Sequence, residues 1–324
     1  MFTMALVLAG LTGSFGIEAS NAIKTLGADA WVVHEGVSGP FTSSVELPDS
    51  AVRDIGRLRG VTQSAGLIFV QQTIGSGSRT TESNLFGIQP GRVGAPVPAI
   101  GRQPRSDSEA MVDDALPYGV GQRFFVGSSH FTVVGLLEHS TLLSGTPNVF
   151  ITQHAAQRIL FGGRGLISAV LIKGTPTSVP SAYRVLTLAQ VKTDMTSSLA
   201  KAQQVVTFIE VFLWLIAGSI IGSVIYVSAL EKIRDFAVLK ATGSSNTQLM
   251  SVLAIQAVVI SVAAAAIAAV AAVLVAPEFP ILISIPLWAI LVLPVLAVAL
   301  GLLASTAGLR RALAVEPASA FGGP

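Results

Sequence analysis

Three long apolar stretches, at residues 205–230, 249–276 and 285–309, constrain this chain more than any other feature. About 20 predominantly apolar residues cross the hydrocarbon core of a bilayer as a helix, and each stretch reaches that length. A shorter apolar stretch, residues 1–17, would span roughly 25 Å as a helix. Only 12% of the 324 residues are charged, which is about half the share found in soluble domains. The sequence therefore predicts a protein that crosses the membrane several times.

Residues 1–17 admit two interpretations, a signal-peptide core or a short first transmembrane helix. The stretch has no basic n-region, and no clear small-x-small cleavage site precedes a domain start. We therefore interpret it as a first span. An upstream start codon would account for the missing basic flank.

The distribution of lysine and arginine in the short loops predicts the orientation. The loop after the second span carries Lys232, Arg234 and Lys240, and the C-terminal tail carries Arg310 and Arg311. The loop between the third and fourth spans, "PEFPILIS", carries neither residue type. Because positive charge favours the cytoplasmic side, we expect the charged loop and both termini to be cytoplasmic, in the inner or plasma membrane.

These signals predict four transmembrane α-helices, with a large α+β extracytoplasmic domain inserted between helices 1 and 2. The expected segments are transmembrane helix 1 (1–17), the extracytoplasmic domain (18–187), a stalk plus transmembrane helix 2 (188–230), a cytoplasmic loop (231–248), transmembrane helix 3 (249–276), transmembrane helix 4 (285–309) and a cytoplasmic tail (310–324).

Local patterns within the inserted domain predict several of its elements. Two β-rich runs around Gly127 predict a hairpin over 122–138, and "QHAAQRILF" predicts a helix over 153–161. Residues 186–210 can form one continuous helix that enters the second span as a stalk. We interpret the pair Asp113 and Asp114, beside a turn-rich stretch, as a solvated surface.

The chain shows no sequence signature of an enzyme. It contains no cysteine, no nucleophile elbow, no HExxH motif and no Walker A or Walker B motif. Four scattered histidines lack metal-ligand spacing, and a net charge of +2 gives no indication of nucleic-acid binding. We expect neither a catalytic residue nor a metal site in this chain.

The charged loop has the pattern of an amphipathic surface helix. At 100° per residue, Leu230, Ile233 and Phe236 fall on one face of "LEKIRDFA" and the charged residues on the other. Gly243 predicts a helix end, and Ser244, Ser245 or Asn246 can cap the next helix. A simple interfacial anchor and a docking helix are both compatible with this pattern. Charges of both signs favour docking, because a lipid anchor favours lysine and arginine.

Several stretches resemble, in order, the MacB/FtsX family of ABC-transporter permeases. "EKIRDFAVLKATGSSNTQLMSVLAIQA" is similar to that family's acidic–basic helix and small-residue ending before its third span. "IKTLGADAWVVHEG", "LFGIQPG", "GVGQRFFVGSSHFTVVGLLE" and "NVFITQHAAQRIL" resemble segments of its MacB-like extracytoplasmic core domain. The tail "RRALAVEPASAF" resembles its closing motif. The amphipathic helix that usually precedes the first span is missing.

The resemblance implies the membrane half of a transporter whose P-loop ATPase is a separate subunit in two copies. ATP and magnesium would bind to that partner, so no cofactor is expected here. ATP-driven movement would reach the extracytoplasmic domain by mechanotransmission, for export of a substrate. The alternative is a signal transmitter that activates an extracellular partner, such as a cell-wall hydrolase, without transport. The resemblance assigns ATPase docking and coupling to Glu231, Lys232, Arg234, Asp235, Phe236, Lys240 and Gly243.

Four spans cannot easily enclose a pathway alone, so we expect a second copy of this permease or a related one. An extracytoplasmic adaptor or substrate protein is a further partner that the family allows. Gly218 and Gly222 form a GxxxG pattern, and Gly10 and Gly13 belong to small-residue pairs in the first span. Such residues let helices approach closely. We predict that these glycines form the dimer contact, with packing inside one chain as the alternative.

Overall fold

The computed structural model divides the chain into two compact units. Residues Met1–Ser14 and Ala202–Pro324 form the helical unit, and Phe15–Lys201 form the globular unit. The structure describes residues 1–43, 45–76, 79–138, 140–231, 235, 238–239, 242–243, 245–279, 283–285, 287–292, 294–296, 298–299 and 302.

The part of the chain that the structure describes contains the following main helices and strands. The helices are α1 (Phe2–Leu26), α2 (Ser50–Gly56), α3 (Gln153–Phe161), α4 (Leu188–Ser197), α5 (Ala200–Glu231) and α6 (Asn246–Val275). The strands are β1 (Ala30–His34), β2 (Leu47–Pro48), β3 (Val61–Ser76), β4 (Arg79–Ile88), β5 (Ile100–Gly101), β6 (Glu109–Asp113), β7 (Arg123–Val126), β8 (Ser129–Leu137), β9 (Thr141–Leu142), β10 (Thr146–Thr152), β11 (Leu166–Ile167), β12 (Ala169–Gly174) and β13 (Tyr183–Leu186).

Three helices in the described part of the chain are long and apolar enough to cross a membrane. They are α1, most of α5 (Ala200–Ser228) and the second part of α6 (Ala254–Val275). A shorter apolar helix, Leu287–Leu296, lies where the fourth span was predicted. The rest of the predicted fourth span, apart from residues 298–299 and 302, lies outside the described residues, as does the predicted tail at 310–324.

Helix α1 continues beyond the predicted first span and reaches Leu26. From Phe15 onwards it belongs to the globular unit, where Ala19, Ile23 and Leu26 are buried in that unit's core. These positions follow one another at helical spacing, so the amphipathic pattern continues past residue 17. Gly27 then ends the helix in the left-handed region, at φ 64°. The predicted boundary at residue 18 therefore falls inside a helix.

The predicted continuous stalk helix is interrupted, because α4 ends at Ser197 and α5 begins at Ala200. The N–H groups of Ser198 and Leu199 both turn back to the carbonyl of Thr196 and leave the α-helical ladder. Three successive hydroxyl side chains, Thr196, Ser197 and Ser198, also donate to carbonyls one turn earlier. Such hydroxyls compete with the helical backbone. The run of hydroxyl residues is therefore the local reason for the break.

Six strands of the globular unit close into a small barrel. Pairing runs from β3 to β4, β10, β6, β8 and β7, and β7 pairs again with β3 through Ile74↔Val126. The β4–β10 and β6–β8 pairs are parallel, and the other four are antiparallel. The first part of β3 continues into a second sheet with β12, β1 and β13. The predicted hairpin is confirmed as β7 and β8, and the helix over 153–161 as α3.

Alternating side chains on the barrel strands enter two different cores. Leu85, Val112 and Val149 belong to a cluster to which all six barrel strands contribute, together with α2 and α3. Their neighbours Phe86, Met111 and Phe150 belong to a second cluster with α1 and β1. Because successive side chains of a strand point to opposite faces, β4, β6 and β10 are covered on both sides. Strands β7 and β8 are buried on one face only, and Arg123 and His130 on their other face are exposed.

Asp113 is fully buried, so its interpretation as part of a solvated pair is wrong. Its carboxylate accepts the N–H of Ala115 at 2.9 Å and the N–H of Ser140 at 2.5 Å. A buried carboxylate is tolerated when backbone N–H groups satisfy it, and these lie in the two turns beside it. Asp114 is exposed, as expected.

Glu18, on α1, is a second buried carboxylate that holds a turn. Its carboxylate accepts the N–H of Ser144 at 3.1 Å and the hydroxyl of Thr141 at 3.3 Å. Leu143 and Ser144 both have positive φ, 56° and 72°, which side-chain-bearing residues rarely adopt. The charged acceptor therefore lies beside a strained turn and stabilises it, since charge-assisted hydrogen bonds are among the stronger ones.

We expect Gly87→Ala to loosen helix α3 from the barrel. A Cβ at Gly87 would lie 2.5 Å from the Cβ of Ala156, so α3 must shift. Overpacking of this kind costs about 1–3 kcal/mol. Hydrogen exchange of the detergent-purified chain should then be faster across α3. Gly119→Ala is the matched control, because no atom lies within 4 Å of its added Cβ. Unchanged exchange across α3 in the Gly87→Ala chain would contradict this close packing.

Candidate functional site

The candidate site is the segment between α5 and α6, which we call the charged segment (residues 231–245). Helix α5 ends at Glu231, and residues 235, 238 and 239 are also helical. Of the residues predicted to dock an ATPase, the structure describes Glu231, Asp235 and Gly243. The other four, Lys232, Arg234, Phe236 and Lys240, lie outside the described residues. The predicted amphipathic face therefore remains a prediction.

The end of the charged segment is built as the sequence predicts. The N–H of Thr242 donates to the carbonyl of Val238 at 3.0 Å, and Gly243 adopts φ 97°. Ser245 is the N-cap of α6, and it forms a capping box with Gln248. The Ser245 N–H donates to Gln248 Oε1 at 2.9 Å, and the Gln248 N–H donates to Ser245 Oγ at 3.3 Å. The turn into α6 is thus specified by a left-handed glycine and a reciprocal cap.

The described side chains of the charged segment face away from the chain's own core. Glu231 and Asp235 are exposed, and so are the apolar side chains of Val238 (54%) and Leu239 (44%). Leu230, which the helical pattern places on the bundle side, is 39% exposed. Carboxylates beside apolar side chains form a mixed surface that a protein partner can cover.

A polar contact joins the two helices that flank the charged segment. Gln256 Nε2, on α6, donates to Ser228 Oγ, on α5, at 2.7 Å. Polar side chains within apolar helices hydrogen-bond across to a neighbouring helix. The predictions from the sequence do not include this pair. The signal that could indicate it is the single amide Gln256 within a long apolar stretch, which needs a polar partner on a neighbouring helix.

The glycines predicted at a dimer contact face the interior of this single chain to different degrees. Gly218 is buried and Gly222 is half-buried, on the face of α5 that also buries Ala217 and Ile221. Gly10 is buried, and a Cβ there would lie 2.8 Å from Ile283 Cγ2. These positions fit the alternative of packing inside one chain.

Gly13 is half-buried. Its role at a dimer contact stays a prediction, as do those of Gly218, Gly222 and Gly10. In the apolar part of α5, Ser219 and Ser223 are small and exposed, and their hydroxyls donate to carbonyls of their own helix.

Comparison with known proteins places the charged segment within a recognised family region. Residues 207–317 match the family described as "FtsX-like permease C-terminal". A protein of Mycobacterium tuberculosis H37Rv described as an ABC transporter permease is 38% identical over 324 residues, covering 100% of this chain and 93% of the relative. A second such permease of that strain is 37% identical with the same coverage, and one of Mycobacterium bovis is 38% identical.

Two solved structures also show similarity. The periplasmic region of MacB from Actinobacillus actinomycetemcomitans matches with a TM-score of 0.40 and 12% identity, over 52% of this chain and 94% of that one. The extracellular domain of the ABC-type transporter YknZ from Gram-positive bacteria matches with a TM-score of 0.37 and 12% identity, over 48% of this chain and 98% of that one.

We expect Gly10→Leu to destabilise the chain itself, because the added side chain would collide with Ile283. The midpoint of thermal unfolding of the detergent-purified chain should fall by about 2–10 °C. Ser219→Leu introduces the same side chain at an exposed position of α5 and should leave the midpoint unchanged. If Gly10→Leu instead preserves the midpoint but reduces crosslinking between two chains, Gly10 belongs to the dimer contact.

Proposed function

The chain belongs to the FtsX-like family of ABC transporter permeases, and from this we propose that it couples ATP hydrolysis in a separate ATPase to movement of its globular unit. The movement would drive export of a substrate from the outer side of the membrane, by mechanotransmission rather than by a channel through four helices. The permease nature of the chain rests on its relatives; the coupling mechanism is our proposal.

The observation that carries the proposal is the construction of the charged segment. It is a short connection between two apolar helices, and its described side chains are exposed. Both of its ends are fixed, at one side by the Ser228–Gln256 hydrogen bond and at the other by Gly243 and the Ser245 cap. A segment that transmits force needs such ends, because a flexible connection would absorb the displacement. A simple lipid anchor requires neither fixed ends nor exposed carboxylates.

In the proposed arrangement, the charged segment docks into a cleft on the ATPase subunit. Glu231 and Asp235 would face basic groups of the ATPase, and Lys232, Arg234 and Lys240 would face acidic groups. Phe236 would hold the segment against the helices, and Gly243 would permit the turn into α6. ATP and Mg²⁺ bind in the ATPase, and closure of its two copies would push two charged segments towards each other.

We expect the globular unit and the charged segment to lie on opposite sides of the membrane. The chain has no cysteine, so a single cysteine introduced at the exposed Ser128 or Thr242 can be labelled without background from other thiols. Ser128→Cys should react in intact cells with a membrane-impermeant maleimide, and Thr242→Cys should react only after permeabilisation. Labelling of Thr242→Cys in intact cells would reverse the proposed orientation.

We expect the double swap Arg234→Glu with Asp235→Lys to reduce recovery of the ATPase strongly. Truncating one member of a buried charge pair at an interface costs about 2–5 kcal/mol. The double swap places two charges opposite partners of the same sign, while the net charge of the segment stays the same. The measurement is the amount of ATPase that copurifies per unit of tagged permease from mild detergent.

The matched control is Arg123→Glu with Glu138→Lys, which exchanges two exposed charges in the globular unit. It should leave ATPase recovery unchanged. Undiminished recovery with the Arg234 and Asp235 swap, together with normal ATP turnover of the complex, would leave the charged segment as an interfacial anchor and refute the docking role.

A further inference from the structure

A cleft on the globular unit gathers three arginines around a polar floor. It encloses about 660 Å³, and its lining includes Arg53 of α2, Arg57 directly after that helix and Arg92 from the turn after β4. Volumes of about 300–1,000 Å³ are typical of small-molecule sites. The cleft lies wholly within the globular unit, far along the chain from the charged segment.

Local structure fixes the backbone conformation at the three arginines. Arg53 and Arg57 are four residues apart, so they lie on the same face of α2, and Arg57 caps that helix by donating its N–H to the carbonyl of Arg53. The N–H of Arg92 donates to the carbonyl of Gln89 at 3.1 Å. Like charges at this spacing repel each other, so their convergence costs stability unless an anion offsets it.

Among the described residues, none of the three cleft arginines forms an ion pair. Elsewhere in the globular unit arginines do find carboxylates. Arg102 contacts Glu109 at 2.6 Å, which lowers the pKa of Glu109 to about 2, and Arg158 contacts Asp107 at 3.4 Å. The three cleft arginines are therefore not neutralised by a carboxylate in the described part of the chain, as Arg102 and Arg158 are, and they can bind an anion.

The acidic residue of the lining does not neutralise the cleft. Asp49 is the only carboxylate among the lining residues, against three guanidinium groups. A Cβ at Gly165 would lie 2.7 Å from Asp49 Oδ2, which places this carboxylate against the backbone of another segment. The cleft thus keeps an excess of positive charge.

The floor of the cleft supplies uncharged polar groups. Gln153 is buried, with 9% exposure, and its Oε1 accepts from Gln89 Nε2 at 2.9 Å. Within the described part of the chain, Gln153 Nε2 has no hydrogen-bond partner and can donate to a ligand. Ser64 donates its hydroxyl to the carbonyl of Val52 at 2.9 Å, so its oxygen can still accept.

We propose that this arginine cleft binds a small organic anion that carries carboxylate or phosphate groups. The planar guanidinium group binds such anions through two parallel hydrogen bonds, and three arginines line this one cleft. Gln153 and Ser64 would contact the uncharged part of the ligand. The proposal concerns binding alone and does not depend on how the charged segment is coupled to an ATPase.

The test measures the protection of individual arginines in the full-length chain. The purified permease in detergent is treated with phenylglyoxal in the presence of citrate, inorganic phosphate, a glutamate-rich peptide, or sodium chloride at the same ionic strength. Peptide mass spectrometry then reports each arginine separately. We expect citrate or phosphate to slow modification of Arg53, Arg57 and Arg92 by about tenfold at saturation, while the exposed Arg123 reacts as before.

Two outcomes would overturn the proposal. Equal protection by sodium chloride, or equal protection of Arg123, would mean that ionic screening alone explains the effect. Protection by a glutamate-rich peptide but by neither citrate nor phosphate would assign the cleft to an acidic protein segment instead of a small molecule.

A variant gives a second, independent measurement. Arg92→Gln removes one guanidinium from an exposed turn and should weaken citrate or phosphate binding, measured by calorimetry, by about tenfold. Arg123→Gln should leave binding unchanged. Equal affinity of the Arg92→Gln and wild-type chains would refute the site even if both chains fold normally.

Discussion

Strand β3 supports both halves of the globular unit, because it pairs with three other strands along its length. Its first residues pair with β12, its later residues pair with β4, and Ile74 and Gly75 also pair with β7. The last contact closes the barrel and removes the unpaired edges that an open sheet of these strands would expose. The same strand places Ser64 beside α2 and Gly66 beside Gln153 of α3. The barrel, the second sheet and the arginine cleft therefore share one structural support.

The elements that could be predicted from the sequence are those whose signals are local. Helix α3 follows its N-cap Thr152, whose side chain accepts from the N–H of Ala155, and it is ended by the left-handed C-cap Gly162. The hairpin of β7 and β8 is marked by alternation around Gly127. The closure of the barrel could not be predicted, because the parallel partners β4 and β10 pair across more than sixty residues and leave no local pattern. Asp113 was misinterpreted for the same reason, since the N–H of Ser140 that satisfies it is distant in sequence.

The candidate site also combines residues whose roles are local with residues that are distant in sequence. Gly243 and Ser245 act through neighbouring backbone groups, so the sequence predicts the end at Gly243 and narrows the cap to three residues, among which the structure has Ser245. The Ser228–Gln256 contact and the arginine cleft join residues from separate elements, and only the fold brings them together. Contacts between distant residues also affect which part of α1 can be assigned to the membrane, as Glu18 shows. It lies within an apolar helix of spanning length, yet its carboxylate is committed to the β9–β10 turn, so this part of α1 is packed against protein.

The pairing of β1 with β13 has a consequence for how the protein is made. Trp31 of β1 lies opposite Leu186 of β13 and Leu171 of β12, so both neighbours of β1 belong to the last part of the globular unit. At ordinary rates of translation, on the order of ten seconds separate the emergence of the first strand from that of its partners. During this interval the sequence "AWVVH" presents two unpaired edges with apolar side chains. Synthesis of this domain therefore passes through a stage at which it is prone to mispairing, and its folding is completed only when its final strand arrives.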